Sequence, residues 1–269
     1  MYLYKMDLND RIQERERRRR EITDRDKILV ADALREKFNL IPATECKVLD
    51  FGCGLGDMVC YLLSIGYDAH GCDISPHWEQ AAECPVERLA LIVEKPYRLP
   101  YKDNTFDAVF STSVLEHVRN TEESFYEIHR VLKPGGISMH LFPGKWYLPY
   151  EPHIRIPLAN YFWPHCPDWW IGLWVFMRII YIPRLAPYWK HMYRKYCEVC
   201  KNELVYFPNS KYRNLSKDVF GNYGSLMGFY IERAGGGYAR LARKLGCTRF
   251  TGWLSANIRM NLIYQRKEA

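Results

Sequence analysis

The residues best placed to do chemistry stand close together at Asp50, Gly52, Cys53, Gly54 and Gly56, with a second acid, Asp73, at the end of the next apolar segment. Glycines at 52, 54 and 56 let the backbone turn sharply and approach a ligand closely, and a helix directly after the turn presents unpaired N–H groups to it. An acid at the edge of a sheet can accept both hydroxyl hydrogens of a ribose. The dinucleotide fingerprint G-x-G-x-x-G would require glycine at position 57, where this chain has Asp57. Asp50 and Asp57 flank the turn with negative charge, which disfavours a pyrophosphate and suits a cationic amino group, such as that of a methionine-type ligand. A glycine turn with solvated acids is the plain alternative.

A second group lies further on, in Trp146-Tyr147-Leu148-Pro149-Tyr150-Glu151-Pro152-His153. A histidine beside an acid can act as a general base near neutral pH. Aromatic platforms suit sugar or ring substrates, although aromatics at this density also serve the core of a small subdomain. Cys197-Glu198-Val199-Cys200 has zinc-knuckle spacing, but no second C-x-x-C follows it, and only His165 and Cys166 could complete a set. The expected metal content is none.

Several elements must position these residues. Ile28, Leu29, Val30, Ala33, Leu34 and Phe38 recur at helical spacing, so residues 22–39 read as an amphipathic helix, ended by Pro42. Lys47 to Phe51 reads as a strand, Met58 to Ile65 as a helix closed by Gly66, and Ala69 to Asp73 as a second strand. Ala90 to Val93, Phe106 to Ser111 and Ile137 to Phe142 supply three more. Asn120 with Glu123 predicts a capping box at the start of a helix reaching Leu132, and Pro134-Gly135-Gly136 predicts its end. Such alternation implies a parallel sheet covered on both faces. After Pro143 the alternation stops for roughly 80 residues, far beyond a structureless loop of about 12–15, so an inserted subdomain is required. Gly237 to Leu245 resumes as a helix, and Asn257 to Gln265 as a strand closing the sheet.

The chain has 269 residues, 48% of them apolar, which is enough to bury a full core. Its net charge of +7 owes much to Arg11, Arg15, Arg17, Arg18, Arg19 and Arg20, interleaved with Glu14, Glu16 and Glu21. A solvated helix or frayed arm explains that run better than nucleic-acid binding, so no nucleic-acid partner is expected. The nine cysteines sit mostly in apolar segments and no secretory signal precedes them, which favours reduced thiols and a cytoplasmic protein. Trp169 to Ile182, the longest apolar run, falls short of the ~18 residues of a membrane span and contains Arg178. Within it Trp170, Leu173, Trp174, Met177 and Tyr181 recur at helical spacing, with Lys190, Arg194 and Lys195 downstream. Packing of a lid helix accounts for this pattern, and peripheral contact with the inner membrane surface is the alternative.

V-L-D-F-G-C-G-L-G, the acid at Asp73, L-P-Y-K-D-N-T-F-D-A-V-F-S, V-L-E-H-V and H-R-V-L-K-P-G-G occur in that order over residues 45–143. Together they resemble the Rossmann-like class I S-adenosylmethionine-dependent methyltransferases, in the broad group of quinone, sterol, polyketide and sugar methyltransferases. The resemblance implies that Asp50 and the turn of Gly52, Cys53, Gly54 and Gly56 hold the methionine part of the cofactor. It implies further that Asp73 binds the ribose hydroxyls and that Ile74 packs on the adenine. The acid usual in relatives four positions before the L-P pair is Lys95 here, which leaves Glu94 as its substitute. Ser111 ends the fourth strand, and residues 112–117 then line the cofactor's other face, bringing Glu116 and His117 near the reaction centre. E-P-H-I-R-I-P-L-A is similar to methyltransferases of bacterial polysaccharide and lipid-linked sugar assembly.

The expected fold is α/β, a seven-stranded, mostly parallel Rossmann-like methyltransferase sheet with helices on both faces, an antiparallel last strand and an aromatic-rich insertion after strand five. The expected divisions are an N-terminal basic arm and helix over 1–40, a cofactor-binding core over 41–149, an inserted lid over 150–230 and a closing helix and strand over 231–269. The expected reaction is transfer of a methyl group from S-adenosylmethionine, leaving S-adenosylhomocysteine. Its first-choice acceptor is a sugar hydroxyl of a polysaccharide precursor or glycolipid; the second is a small aromatic, quinone-like or polyketide metabolite. Non-catalytic cofactor binding is the alternative of another class. The candidate catalytic residues are His153, His117 and Glu151.

Overall fold

The computed structural model describes residues 24–42, 45–80, 84–234 and 237–269. The arginine-rich run from Arg11 to Arg20 lies outside the described residues. The chain enters as a helix over residues 24–38 (α1), whose last turns widen to a π-helix at Ala33–Lys37. β1 (Lys47–Phe51), α2 (Asp57–Ser64) and β2 (Asp68–Asp73) follow. After them come β3 (Leu89–Leu91) and a small hairpin of β4 (Val93–Glu94) and β5 (Tyr97–Arg98). β6 (Phe106–Thr112), α3 (Thr121–Val131) and β7 (Leu132–Pro143) complete the alternating part.

The insertion between β7 and the last strand carries α4 (Asp168–Tyr181), α5 (Trp189–Glu198), α6 (Asn209–Phe220) and β8 (Gly224–Ser225). Three helices then lead out, α7 (Met227–Arg233), α8 (Gly237–Lys244) and α9 (Thr248–Ile258), before the closing strand β9 (Met260–Arg266). The sheet has seven strands in the order β3-β2-β1-β6-β7-β9-β8. β9 runs antiparallel to both β7 and β8, while the β1–β2, β2–β3, β1–β6 and β6–β7 pairs are parallel.

Alternation along the strands explains why both faces are covered. Val48, Ala108, Phe110 and Leu262 join the core shared with Leu29, Leu34, Val59, Leu62 and Phe229 of the helices on one face. Leu49, Val109 and Ile263 point the other way, into a core with Phe125, Ile128, Leu215 and Phe220. A third cluster, including Ile154, Ile171, Val175, Cys200 and Tyr206, gives the insertion a core of its own.

Three local expectations are corrected. The Asn120 side chain makes no capping bond; its carbonyl instead accepts from both the Ser124 amide and hydroxyl. Pro134-Gly135-Gly136 does not stop α3, which ends at Val131. These residues open β7 as a bulge, where the pairing with β6 shifts register between Phe106 and Ala108. Gly135 takes φ 77°, its amide donates to the Lys267 carbonyl, and Gly136 accepts from the Lys267 amide. The closing strand also starts later than expected, because Asn257 and Ile258 still belong to α9.

Candidate active site

The glycine turn sits at the carboxyl end of β1. Gly52 has φ +80°, and a Cβ there would lie 2.7 Å from Val114 Cγ1, so only glycine fits both the conformation and the approach of the β6–α3 loop. The turn is tied to the next strand by the Gly52 and Cys53 amides, which donate to the Cys72 carbonyl at 2.8 and 3.1 Å. Asp73 then organises its far side, accepting from the Gly54 amide at 2.9 Å and the Ser75 amide at 3.2 Å.

Asp50 is 4% exposed, and burial together with the charge of Asp73 pushes its carboxyl up to about 8. Among the described residues no hydrogen bond or cation compensates it. A buried, uncompensated acid beside a second acid and a glycine cradle is a good fit for a ligand carrying positive charge, as S-adenosylmethionine does on its sulfonium and amino groups. Ile74 is largely exposed beside Asp73, as a residue packing on a ring must be. Glu94 is exposed on the β4–β5 hairpin. The Ser111 hydroxyl faces away from the edge: it is buried and bonded to His140 Nδ1 at 2.8 Å, so only its backbone remains available to a ligand.

The β6–α3 loop that touches Gly52 continues into Glu116 and His117. Glu116 is 1% exposed, neither carboxylate oxygen has a hydrogen-bond partner, and burial pushes the group up to about 8. Its Oε1 lies 4.0 Å from His153 Nε2. The His117 and His153 rings meet edge to face with centroids 5.0 Å apart. His117 Nδ1 donates to the Glu203 carbonyl at 2.7 Å, and burial lowers its pKa. Its side chain therefore anchors to the insertion, while its amide donates to the Val114 carbonyl at 2.8 Å.

Glu151, on the loop after β7, is fully buried. Its Oε1 accepts from His153 Nδ1 at 2.5 Å and from the Tyr206 hydroxyl at 2.6 Å, and Oε2 from the Ile154 amide at 2.6 Å. Against the penalty of burial, these three bonds hold its carboxyl below the usual value. Burial opposes protonation of His153, but Glu151 overcomes it and raises the pKa. The loop is clamped from outside by Arg178 of α4, whose Nη2 donates to the Ile154 and Arg155 carbonyls at 2.6 and 2.7 Å.

The structure thus gathers His117, Glu151 and His153, and adds Glu116, the Glu203 carbonyl and Tyr206. Glu116 has a sequence signal, its place in V-L-E-H-V. Tyr206 has none, since it meets Glu151 only through the packing of the insertion.

Residues 49–139 match the family model described as a methyltransferase domain. Within the curated proteins, a sterol 4-C-methyltransferase of Caenorhabditis elegans is 31% identical over 107 residues, covering 38% of this chain and 31% of its own length. A 2-phytyl-1,4-naphtoquinone methyltransferase of Nostoc punctiforme is 31% identical over 134 residues, covering 42% of this chain and 56% of its own. The chain therefore spans well under two thirds of these relatives. The fold is similar to that in the complex between the Trm112 methyltransferase activator and a methyltransferase of Haloferax volcanii, with TM-score 0.50, 18% identity and 94% coverage of both chains. Residues 49–139 thus carry a match to a methyltransferase domain, within a seven-stranded sheet of methyltransferase-like fold.

Proposed function

We propose that this chain transfers a methyl group from S-adenosylmethionine to a hydroxyl of a small molecule, with a sugar of a polysaccharide precursor or glycolipid as the first-choice acceptor. The observation that supports it is the close approach of Val114 to the Gly52 turn, since Val114 belongs to the loop that carries Glu116 and His117, and His153 packs on both. The cofactor, when bound, supplies an already activated methyl group, so the chain's main task is to align the acceptor. Asp50 and the turn from Gly52 to Gly56 hold the cationic end, Asp73 the ribose, and Ile74 the adenine, with Glu94 beside it.

On the acceptor side Glu151 fixes the His153 ring through Nδ1 and leaves Nε2 facing Glu116. His153 Nε2 would take the proton of the attacking acceptor hydroxyl, while the electron pair of the broken methyl–sulfur bond would stay on the departing S-adenosylhomocysteine. His117 walls the opposite side.

A lipid-linked acceptor is supported by α4, which leaves Trp169, Phe176, Ile180 and Tyr181 exposed, next to the basic Lys190, Arg194 and Lys195 of α5. Such a face suits an anionic membrane surface. No helix among the described residues is long and apolar enough to cross a membrane. An aromatic, quinone-like or polyketide acceptor is the second reading, favoured by the Trp146–Tyr161 pair at 4.9 Å on the loop after β7 and by the names of the sterol and quinone relatives.

The test is incubation with labelled S-adenosylmethionine and fractionated cell extract, followed by hydrolysis and identification of the methylated unit. An O-methyl sugar supports the first reading, and label in an aromatic metabolite the second. Protein that binds S-adenosylhomocysteine yet labels no fraction would show cofactor binding without transfer. With the true acceptor, His153→Ala should lower turnover by about 10²–10⁴-fold and leave cofactor affinity nearly unchanged.

A further inference from the structure

We propose that Glu116, His117 and His153 form a binding site for a divalent transition-metal cation. One ligand atom from each lies within 4.8 Å of the others, a spacing that a single ion can bridge with small side-chain shifts. Three features select these residues over an ordinary polar cluster.

The first is Glu116, buried to 1% exposure with both carboxylate oxygens unpartnered. Buried carboxylates are normally hydrogen-bonded, and an unpartnered pair of oxygens, one of them 4.0 Å from His153 Nε2, fits a cation held between the two side chains. The second is the state of the two rings. His117 gives its Nδ1 hydrogen to the Glu203 carbonyl and His153 gives its own to Glu151. In a neutral imidazole that leaves Nε2 as a bare lone pair, and metal-binding histidines characteristically donate their other nitrogen to a carbonyl or carboxylate in this way. The third is the support around those partners: the Tyr206 hydroxyl and the Ile154 amide both bond Glu151, and the Val205 amide donates to the Glu116 carbonyl at 2.6 Å.

Two imidazole nitrogens and one carboxylate are three donors, which leaves coordination positions open for an outside oxygen. Nitrogen-rich donors of this type favour zinc, cobalt, iron or manganese over magnesium and calcium. The sequence gives no such expectation, because the ligands come from two separate loops and follow no metal-binding spacing. The role of the ion rests on the reading above: it would hold and polarise the acceptor hydroxyl. With the ion on His153 Nε2, its charge would lower the acceptor's pKa and the hydroxyl proton would leave to solvent water instead of to His153.

The test titrates the full chain, stripped with chelator, with Co2+, followed by calorimetry and by visible absorption. One ion per chain is expected, with bands of nitrogen and oxygen ligation and no thiolate-to-cobalt charge transfer. Glu116→Gln and His153→Ala should each weaken binding by about a hundredfold or more, because loss of an outer partner alone costs about 10–100-fold, the effect expected for Glu151→Gln. S-adenosylhomocysteine binding by every variant certifies the fold. The inference is overturned by wild-type protein that binds S-adenosylhomocysteine but no Co2+, by a charge-transfer band that moves the ion to the cysteines, or by unchanged affinity in both ligand variants. Methyl transfer undiminished by chelator in protein without the ion would leave His153 as the base and the proposed reaction intact.

Discussion

His117 donates its Nδ1 hydrogen to the carbonyl of Glu203, joining the loop after β6 to a segment 86 residues further along the chain. The cofactor cradle and the acceptor-side cluster are therefore fixed to each other through the insertion as well as through the sheet.

Removal of the Asp73 carboxylate should weaken S-adenosylhomocysteine binding by about 2–3 kcal/mol, the worth of charge-assisted hydrogen bonds. Calorimetry on Asp73→Ala and Asp73→Asn measures it. Because Asp73 also holds the Gly54 and Ser75 amides, the asparagine should retain part of the affinity. Equal affinity in all three proteins would remove Asp73 from the cofactor site.

Gly52→Ala should destabilise the protein by about 2 kcal/mol or more, combining an unfavourable φ with overpacking against Val114. Trimming the neighbour in Gly52→Ala/Val114→Ala should recover the packing share and leave the backbone share. Urea denaturation reads both, and a fully additive double variant would contradict the contact.

Cofactor binding should release a proton below pH 8. Burial and Asp73 push the Asp50 carboxyl up to about 8, so it is largely protonated at neutral pH, and a cationic ligand favours its ionised form. Affinity for S-adenosylmethionine should then rise with pH up to about 8 and level off. Calorimetry in buffers of different ionisation enthalpy detects the proton, and Asp50→Asn should abolish its release.

His140 should make the fold acid-sensitive. It is completely buried between the Ser111 and Ser138 hydroxyls at 2.8 and 2.6 Å, and burial lowers its pKa from 6.5 to about 3. A depressed folded pKa means that the unfolded chain takes up the proton first. The stabilisation is therefore whole above pH 6.5 and is lost as pH falls towards 3. From pH 7.5 to 5 the loss should be about 2 kcal/mol. Urea midpoints across that range, compared with His140→Asn, isolate it, and parallel curves would refute the assignment.

How much of this was legible in the sequence depends on the reach of each interaction. The Gly52 to Gly56 turn and Asp73 are local, so periodicity and glycine spacing place them on the strands where they are found. Pro134-Gly135-Gly136 misleads because glycines serve equally to stop a helix and to bulge a strand, and the choice is made by Lys267. The sequence pairs Glu151 with His153 but does not show its burial, which rests on the hydroxyl of Tyr206, the amide of Ile154 and the clamp of Arg178. Ser111 reads as a strand-end ligand until His140, on the neighbouring strand, claims its hydroxyl.

The bond from the Val205 amide to the Glu116 carbonyl leaves the Glu116 side chain free while fixing its backbone. What the insertion supplies at that point is a main-chain donor, which almost any residue type can provide. The side chain at position 205 can therefore change, proline excepted, without loss of the backbone join between the insertion and the loop after β6.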